Sequence, residues 1–113
     1  MTFLEELNNI ITACGLPVET GIFSGVPPDS YVVITPLSDS FAEFADNRPQ
    51  SDIQEARLSL FTKGNYTKLK NAIVRALLDA DFTITDRRYV EFEPDIGVHN
   101  YCVDAQKIYQ IKE

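Results

Sequence analysis

The sequence predicts an α+β fold, with a mainly antiparallel β-sheet and two α-helices packed on one face. Two observations lead to this prediction. Apolar residues recur at helical spacing in segments 3–14 and 66–80, and they alternate with a period of two in several other segments. The strands with the clearest patterns are joined by short turns, which favours antiparallel neighbours and leaves the helices to cover one face. We expect residues 1–113 to form a single domain.

The first predicted helix runs from Phe3 to Cys14. Thr2 and Glu5 form a capping box, in which the Thr2 hydroxyl accepts a hydrogen bond from the Glu5 amide. Gly15 followed by Pro17 ends the helix. We expect one apolar stripe of this helix to lie on the sheet, and it consists of Phe3, Leu4, Leu7, Ile10, Ile11 and Cys14.

Two strands are predicted next. Thr20–Ser24 can form a short strand within an irregular segment, and the β-branched residues of Tyr31–Thr35 predict a second one. Pro36 has no amide hydrogen, so we expect it to end the central pairing of the second strand or to mark a sheet edge.

Segment 37–52 has two interpretations. In the first, Phe41–Ala45 is a further hairpin strand whose phenylalanines complete the core, and Asp46–Ser51 is a turn. In the second, the segment is a long acidic loop that contacts another protein. Apolar anchors among charged residues are typical of protein interfaces. The candidate interface residues are Asp39, Phe41, Glu43, Phe44, Asp46 and Arg48.

The centre of the predicted fold is a strand, a turn and a helix. Ile53–Thr62 alternates so that Ala56, Leu58 and Leu60 share one face. After a turn at Lys63-Gly64, the Asn65 side chain caps a helix that extends from Tyr66 to Ala80. The stripe of this helix that faces the sheet consists of Tyr66, Leu69, Ile73, Ala76, Leu77 and Ala80.

A final hairpin is predicted around Glu93–Gly97, with Pro94 and Gly97 suited to a tight turn. Pairing Glu93 with Val98 places Phe92 opposite His99, and the same register places Val90 opposite Tyr101 and Arg87 opposite Asp104. The expected inward side chains are Phe82, Ile84, Val90 and Phe92. This register also puts Asp86 and Arg88 in phase with the core, a conflict that a bulge near residues 86–88 would remove.

Composition and charge exclude several classes of protein. The 113 residues are 44% hydrophobic, and no apolar run is long enough for a membrane span. The net charge is -7, and no lysine or arginine precedes Arg48, which disfavours specific nucleic-acid binding. The N-terminus shows no secretory signal. Cys14 and Cys102 are too few for a disulfide framework or zinc site, and we interpret them as inert thiols of a cytosolic chain.

The residues capable of chemistry favour structural roles. His99 is the single histidine, and we found no nucleophile tied to it in the sequence. Glu91, Glu93 and Asp95 can gather a cation, but acids beside a turn more often form a solvated edge. Arg87 and Arg88 can clamp a phosphate, although pairing of one of them with Asp104 is favoured. We therefore predict no catalytic residue, no metal site and no cofactor.

Five stretches of the sequence resemble a family of small proteins encoded by tailed bacteriophages and by prophages of Gram-positive bacteria. The resemblance covers about Tyr31 to Tyr109. The stretches are Ile34–Phe41, Ala45–Asn47, Gln54–Phe61, Lys63–Tyr66 and Asp81–Tyr89.

The resemblance implies a virion structural protein and not an enzyme. Members of the family join heads to tails, and by size and element order the chain is similar to a tail-completion (tail-terminator) protein. Such a protein forms a homo-oligomeric ring, for which a hexamer is one candidate, on the head-proximal end of the tail tube. It assembles in the host cytoplasm and contacts the tube protein and the head connector, while DNA passes through the ring. A head-closure or other connector protein is the alternative, followed by a small ligand-binding domain or enzyme.

Overall fold

This computed structural model describes residues 2–20, 28–45 and 48–110. The described residues contain two helices and five strands. Only the backbone is described for residues 41–45, 49 and 50. The elements are α1 (Phe3–Ala13), β1 (Val18–Thr20), β2 (Ser30–Ala45), β3 (Arg48–Thr62), α2 (Tyr66–Asp79), β4 (Thr83–Glu93) and β5 (Val98–Gln110).

The strands form one sheet in the order β1-β2-β3-β5-β4. The β1–β2 pair is parallel, and the other three pairs are antiparallel. Both helices contribute buried side chains to one face of the sheet. The predicted α+β fold, mainly antiparallel with two helices on one face, is therefore confirmed.

Both helices begin at the predicted caps. The Thr2 hydroxyl accepts a hydrogen bond from the Glu5 amide at 3.2 Å. The Asn65 side chain accepts from the amides of Thr67 and Lys68 at 3.1 and 3.3 Å. These bonds satisfy amides that the first helical turn leaves without a partner. Gly15, with a φ of 83°, terminates α1 in the left-handed conformation that glycine adopts readily.

The core lies between the helices and the central strands. Its α2 contribution is Ile73 and Leu77, at 1% and 0% exposure, so the predicted stripe of this helix is confirmed at these positions. The buried residues of α1 and the strands that complete this layer are Phe3, Leu7, Ile11, Val32, Ile34, Ala56, Leu58, Leu60, Tyr101, Val103 and Ala105.

Segment 37–52 agrees with the hairpin interpretation for Phe41–Ala45, which is strand as predicted. These residues continue β2 through Pro36 and do not form a separate strand, and β3 already begins at Arg48. The pairing shifts register between Pro36 and Ser38. A strand tolerates proline at such a bulge, since the missing amide needs no ladder partner there. The expectation that residues 48–51 belong to a turn is therefore wrong, and so is the expectation that Pro36 ends the pairing. The alternative expectation, that Pro36 marks a sheet edge, agrees with the described β1–β2 pairing, which reaches Ile34.

The short early strand begins before its predicted start at Thr20. Strand β1 covers Val18–Thr20, whereas the sequence predicted Thr20–Ser24. Residues 21–24 lie outside the described part of the chain.

The last hairpin confirms the predicted register near its turn and corrects it farther away. Glu93 pairs with Val98 and Phe92 with His99, as expected. A shift at Val90 then places Tyr89 opposite Tyr101 and Arg87 opposite Val103, and a second shift follows at Thr85. The predicted pairs of Val90 with Tyr101 and of Arg87 with Asp104 are wrong, because the bulge at Val90 adds a residue to β4.

The bulge at Thr85 removes the conflict noted in the sequence. It moves Asp86 and Arg88 to the face opposite Ile84. Phe82 is buried as expected, but Val90 and Phe92 are 44% and 45% exposed. Their predicted inward positions are wrong because α2 begins only at Tyr66, level with Tyr89, so this end of β4 extends past the helix.

Candidate protein interface

The candidate interface residues lie toward one end of the β2–β3 pair. We call segment 37–52 the arm. Among the described residues, β1 pairs with β2 from Val32 to Ile34, and β5 pairs with β3 from Thr62 to Ser51. Within the described part of the chain, the outer part of the arm, residues 43–45 and 48–50, therefore has β2 and β3 as its strands. The molecule measures 55 × 25 × 23 Å, and 16-residue β2 is long enough to account for most of its greatest dimension.

The structure places most of the predicted interface residues on these two strands. Asp39, Phe41, Glu43 and Phe44 lie on β2, and Arg48 lies on β3. Asp39 and Arg48 are exposed, and the predicted interface residue Asp46 lies outside the described residues. The register brings Phe41 opposite Asp52 and Phe44 opposite Pro49.

The arm is acidic and carries an exposed apolar residue. Its sequence holds four acids, Asp39, Glu43, Asp46 and Asp52, against the single cation Arg48. Leu37 at the start of the arm is 41% exposed. An exposed leucine next to carboxylates suits contact with a partner surface that is itself basic and partly apolar.

The base of the arm is fixed to α1 by polar contacts. The Tyr109 hydroxyl donates to Glu6 Oε2 at 2.9 Å, and its ring packs edge-on against Phe3. Lys107 forms an ion pair with Glu6 and donates to the Ala80 carbonyl at 2.8 Å. Burial, followed by the Glu6 hydrogen bond, raises the pKa of Tyr109. These contacts anchor β5 at the point where the arm leaves the sheet.

The outer face of α2 is the second distinctive surface. Lys68 and Arg75 are exposed there, and no carboxylate among the described residues pairs with them. A groove of about 400 Å³ runs along this face and is lined by Lys68, Asn71, Ala72, Arg75, Ala76 and Asp79. Leu78, on the same helix, is 53% exposed. The sequence indicated only that the cations face solvent.

The sheet face opposite the helices contains an ion pair that the sequence analysis missed. Arg57 donates to both carboxylate oxygens of Asp104, at 2.9 and 3.1 Å. The hydrogen bond to Asp104 raises the pKa of Arg57. Asp104 therefore pairs with Arg57 and not with Arg87 or Arg88, and Arg88 pairs instead with its neighbour Asp86. Direct opposition of Arg57 and Asp104 on β3 and β5 was the available signal, but it requires knowing that these strands are adjacent.

His99 lies in a cluster of aromatic rings. The Tyr89 hydroxyl is 2.9 Å from His99 Nδ1, and the rings of Phe92 and Tyr66 are centred 4.7 and 5.2 Å from the imidazole. Burial is the main cause that raises the pKa of Tyr89. Each contact of the imidazole described here is structural, and the prediction that His99 has no catalytic role remains to be tested.

The remaining sequence candidates are dispersed. Cys102 is buried, with its Sγ 3.6 Å from Ser59 Oγ, and burial raises the pKa of half-buried Cys14. Glu91, Glu93 and Asp95 are exposed. Within residues 2–20, 28–45 and 48–110, no group of three or more histidine, cysteine or acidic side chains is arranged to hold a metal ion. No helix in these ranges is long and apolar enough to cross a membrane.

Comparison with solved structures finds chains of similar fold, whereas two other comparisons find no match. No protein-family model matches the chain, and no curated protein matches it. The chain is similar to one in the solved structure titled "Virion of native gene transfer agent (GTA) particle", with 13% sequence identity and a TM-score of 0.49. The alignment covers 93% of this chain and 84% of that chain. A likeness at this level carries no conclusion about family or function.

Proposed function

We propose that this protein is a structural component of a tailed-phage virion, and specifically a tail-completion (tail-terminator) protein that forms a ring at the head-proximal end of the tail tube. The observation that carries the proposal is the projecting acidic arm. Its support in the sequence is the resemblance of five stretches to phage head-tail joining proteins, and two of these stretches, Ile34–Phe41 and Ala45–Asn47, lie largely within the arm.

The arm favours an assembly function over a self-contained one. An isolated two-stranded ribbon gains little stability on its own, because it buries little apolar surface. A strand pair that extends beyond its sheet, with Asp39 and Leu37 exposed, is well suited to contact another subunit. A closed ring also requires two different contact surfaces on each copy, and the arm supplies one of them.

The charge of the chain is compatible with a ring through which DNA passes. The net charge is -7, so a ring of identical copies is strongly acidic. Like-charge repulsion lets DNA pass such a ring without adhering to its wall. The proposed partners are therefore further copies of the chain, the tail tube protein and the head connector.

Deletion of the gene from its phage, followed by electron microscopy of the lysate, tests the proposal. Loss of a tail terminator gives overlong tubes, because nothing stops tube polymerisation. Normal tails beside unjoined heads would assign the protein to head closure, and an unchanged yield of normal virions would overturn an assembly role. Restoration of normal tails by a plasmid copy of the gene is the control.

A structural role also predicts that the reactive side chains are dispensable. Folded His99→Ala and Cys102→Ser proteins should restore normal tails to the deletion phage as well as the parent does. Failure of a well-folded His99→Ala protein would reopen an enzymatic or metal-dependent role.

A further inference from the structure

We infer that the arm of one copy docks in the groove on the outer face of α2 of a neighbouring copy. The inference rests on the self-assembly that the proposed function requires, and it names the two surfaces that meet. Repetition of a single contact between different surfaces produces a ring when the rotation between copies closes.

The first argument is the location of cations that lack an acidic partner. Several basic side chains of the described residues form ion pairs within the chain, as Arg57 does with Asp104 and Lys107 with Glu6. Described cations without an ion pair gather instead on one side of the molecule, at Lys68, Lys70, Arg75 and Arg87.

These cations share a surface because of the sheet register. Lys68, Lys70 and Arg75 belong to α2, and Arg87 lies on β4 in phase with Tyr89. The Tyr89 ring is 5.1 Å from Tyr66 in the first turn of α2, so Arg87 is on the helix side of the sheet. The result is a basic surface on a protein whose overall charge is negative.

The arm is the complementary surface. Its four acids exceed its single arginine, and Asp39 is exposed and forms no ion pair among the described residues. Opposite charges on two partly apolar surfaces orient them and speed their association. The acidic excess of the arm and the basic excess of α2 therefore favour a second copy of this chain as the occupant of the groove.

The shapes of the two surfaces agree with this pairing. Ala72 and Ala76 are small side chains in the lining of the 400 Å³ groove, and Lys68 and Arg75 lie along it. The arm is an extended strand pair with an exposed leucine at its start and two phenylalanines in its sequence. Apolar side chains between alanines, with carboxylates reaching the cations, give an apolar centre with a charged rim.

The contact must join different copies. The arm is continuous with β2 and β3, whose pairing fixes its direction away from the helix-covered sheet. Helix α2 packs on β3, β4 and β5 within that covered part. The arm cannot fold back onto α2 of its own chain without breaking the β2–β3 ladder.

Charge reversal on each surface tests the inference with the full-length chain. Lys68→Glu/Arg75→Glu on α2, or Asp39→Lys/Glu43→Lys on the arm, should weaken self-association roughly 10- to 100-fold in light scattering after size exclusion. The parent assembly should also weaken as salt is added. Lys63→Glu/Arg88→Glu is the matched control, since it reverses two exposed cations that lie outside the groove.

Combining the variants makes the test specific. One chain carrying all four reversals should assemble again, because the arm is then basic and α2 acidic. A mixture of the two double variants should also assemble, with the two variants alternating, because each arm then meets an α2 of opposite charge on the other variant. Circular dichroism and thermal melting establish that every variant is folded.

The possible outcomes separate this inference from the proposed function. Assembly of the fourfold variant and of the mixture, but of neither double variant alone, supports the arm-to-α2 contact. Full assembly by either folded double variant, failure of the fourfold variant to assemble, or a parent that stays monomeric at every concentration would overturn it. Tail termination itself is decided by tail length in the deletion phage, so either idea can fail while the other holds.

Discussion

Strands β2 and β3 pass through two regions of the molecule whose stability has different sources. In the helix-covered region, Leu58 and Leu60 of β3 are 1% exposed and their neighbours Arg57 and Ser59 are half-buried. In the arm, the same two strands continue their hydrogen-bonded pairing past the described residues of the other strands. The ladder is continuous, but Leu37, an apolar residue of the arm whose side chain is described, is 41% exposed.

The comparison shows that pairing between strands and stability need not coincide. Burial of apolar side chains supplies most of the free energy that holds a sheet together, whereas a two-stranded ribbon alone is marginal in water. We therefore expect mutations in the helix-covered region to change the stability of the protein, and mutations in the arm to change its self-association.

The largest effect on stability is expected from Ile73→Ala. This side chain of α2 is 1% exposed within the core, and its truncation should lower the free energy of unfolding by about 2–5 kcal/mol. Urea denaturation measures the change. Leu78→Ala on the same helix is the matched control, because Leu78 is 53% exposed and should lose far less. Equal losses from both variants would contradict the assignment of the covered face.

Tyr109→Phe probes the boundary between the two regions, where Tyr109 pairs with Asp52 and donates to Glu6. Because the pKa of Tyr109 is raised, the folded protein holds this proton at a pH where the unfolded chain releases it. Its contribution to stability is complete below the ordinary tyrosine pKa of about 10 and is lost as pH rises toward the folded value.

The variant should accordingly reduce the alkaline loss of stability. Above about pH 10, the slope of unfolding free energy against pH should become shallower by at most about 1.4 kcal/mol per pH unit, less where solvent screens the group. Urea melts at successive pH values give this slope. Tyr31→Phe is a useful comparison, since burial also raises the pKa of Tyr31 but Glu6 is not among the causes. An unchanged slope in Tyr109→Phe would show that this proton is not held by the fold.

A smaller loss of about 1 kcal/mol is expected from Asn65→Ala. The substitution removes the side-chain oxygen that accepts from the amides of Thr67 and Lys68 at the start of α2. Asn65→Asp preserves an acceptor and should keep most of the stability. Thermal melting of the pair distinguishes loss of the cap from a general effect of substitution, which would lower both melting temperatures alike.

The smallest change in stability is expected in the arm. Phe41→Ala and Phe44→Ala should leave the melting temperature nearly unchanged and weaken assembly, because we infer that both residues belong to the surface that docks with a neighbouring copy. A loss of several kcal/mol would instead show that these side chains complete a core. Stable variants that assemble like the parent would reject both roles. Melting and light scattering on the same samples separate the three results.

The covered region was largely predictable from the sequence, because burial on one face imposes a pattern on the residues. The stripe containing Ile73 and Leu77, the cap at Asn65 and the turn at Gly97 follow from local periodicity and backbone chemistry. The bulge at Val90 defeated the predicted pairing of Arg87 with Asp104, since one inserted residue shifts every later pair, and the start of α2 at Tyr66 left Val90 and Phe92 uncovered.

The arm was less predictable, because segment 37–52 does not show the alternation of apolar and polar residues that burial on one face imposes. Pro36 also suggested the end of a strand at a position where the strand only bulges. The basic face of α2 was visible as exposed lysines and arginines. That these cations lack acidic partners could not be predicted, because ion pairs such as Arg57 with Asp104 join residues that are distant in the sequence.

The contacts between α1 and β5 also bear on how the protein is made. Phe3 packs against Tyr109, and Glu6 holds Lys107, so the first helix is secured by the last strand. Strand β5 in addition separates β3 from β4 in the sheet. A chain still emerging from the ribosome therefore lacks the strand that joins its sheet and the anchor of its first helix. We expect folding to finish only after translation has passed Tyr109, and products truncated before β5 to be recognised by the cell as unfolded.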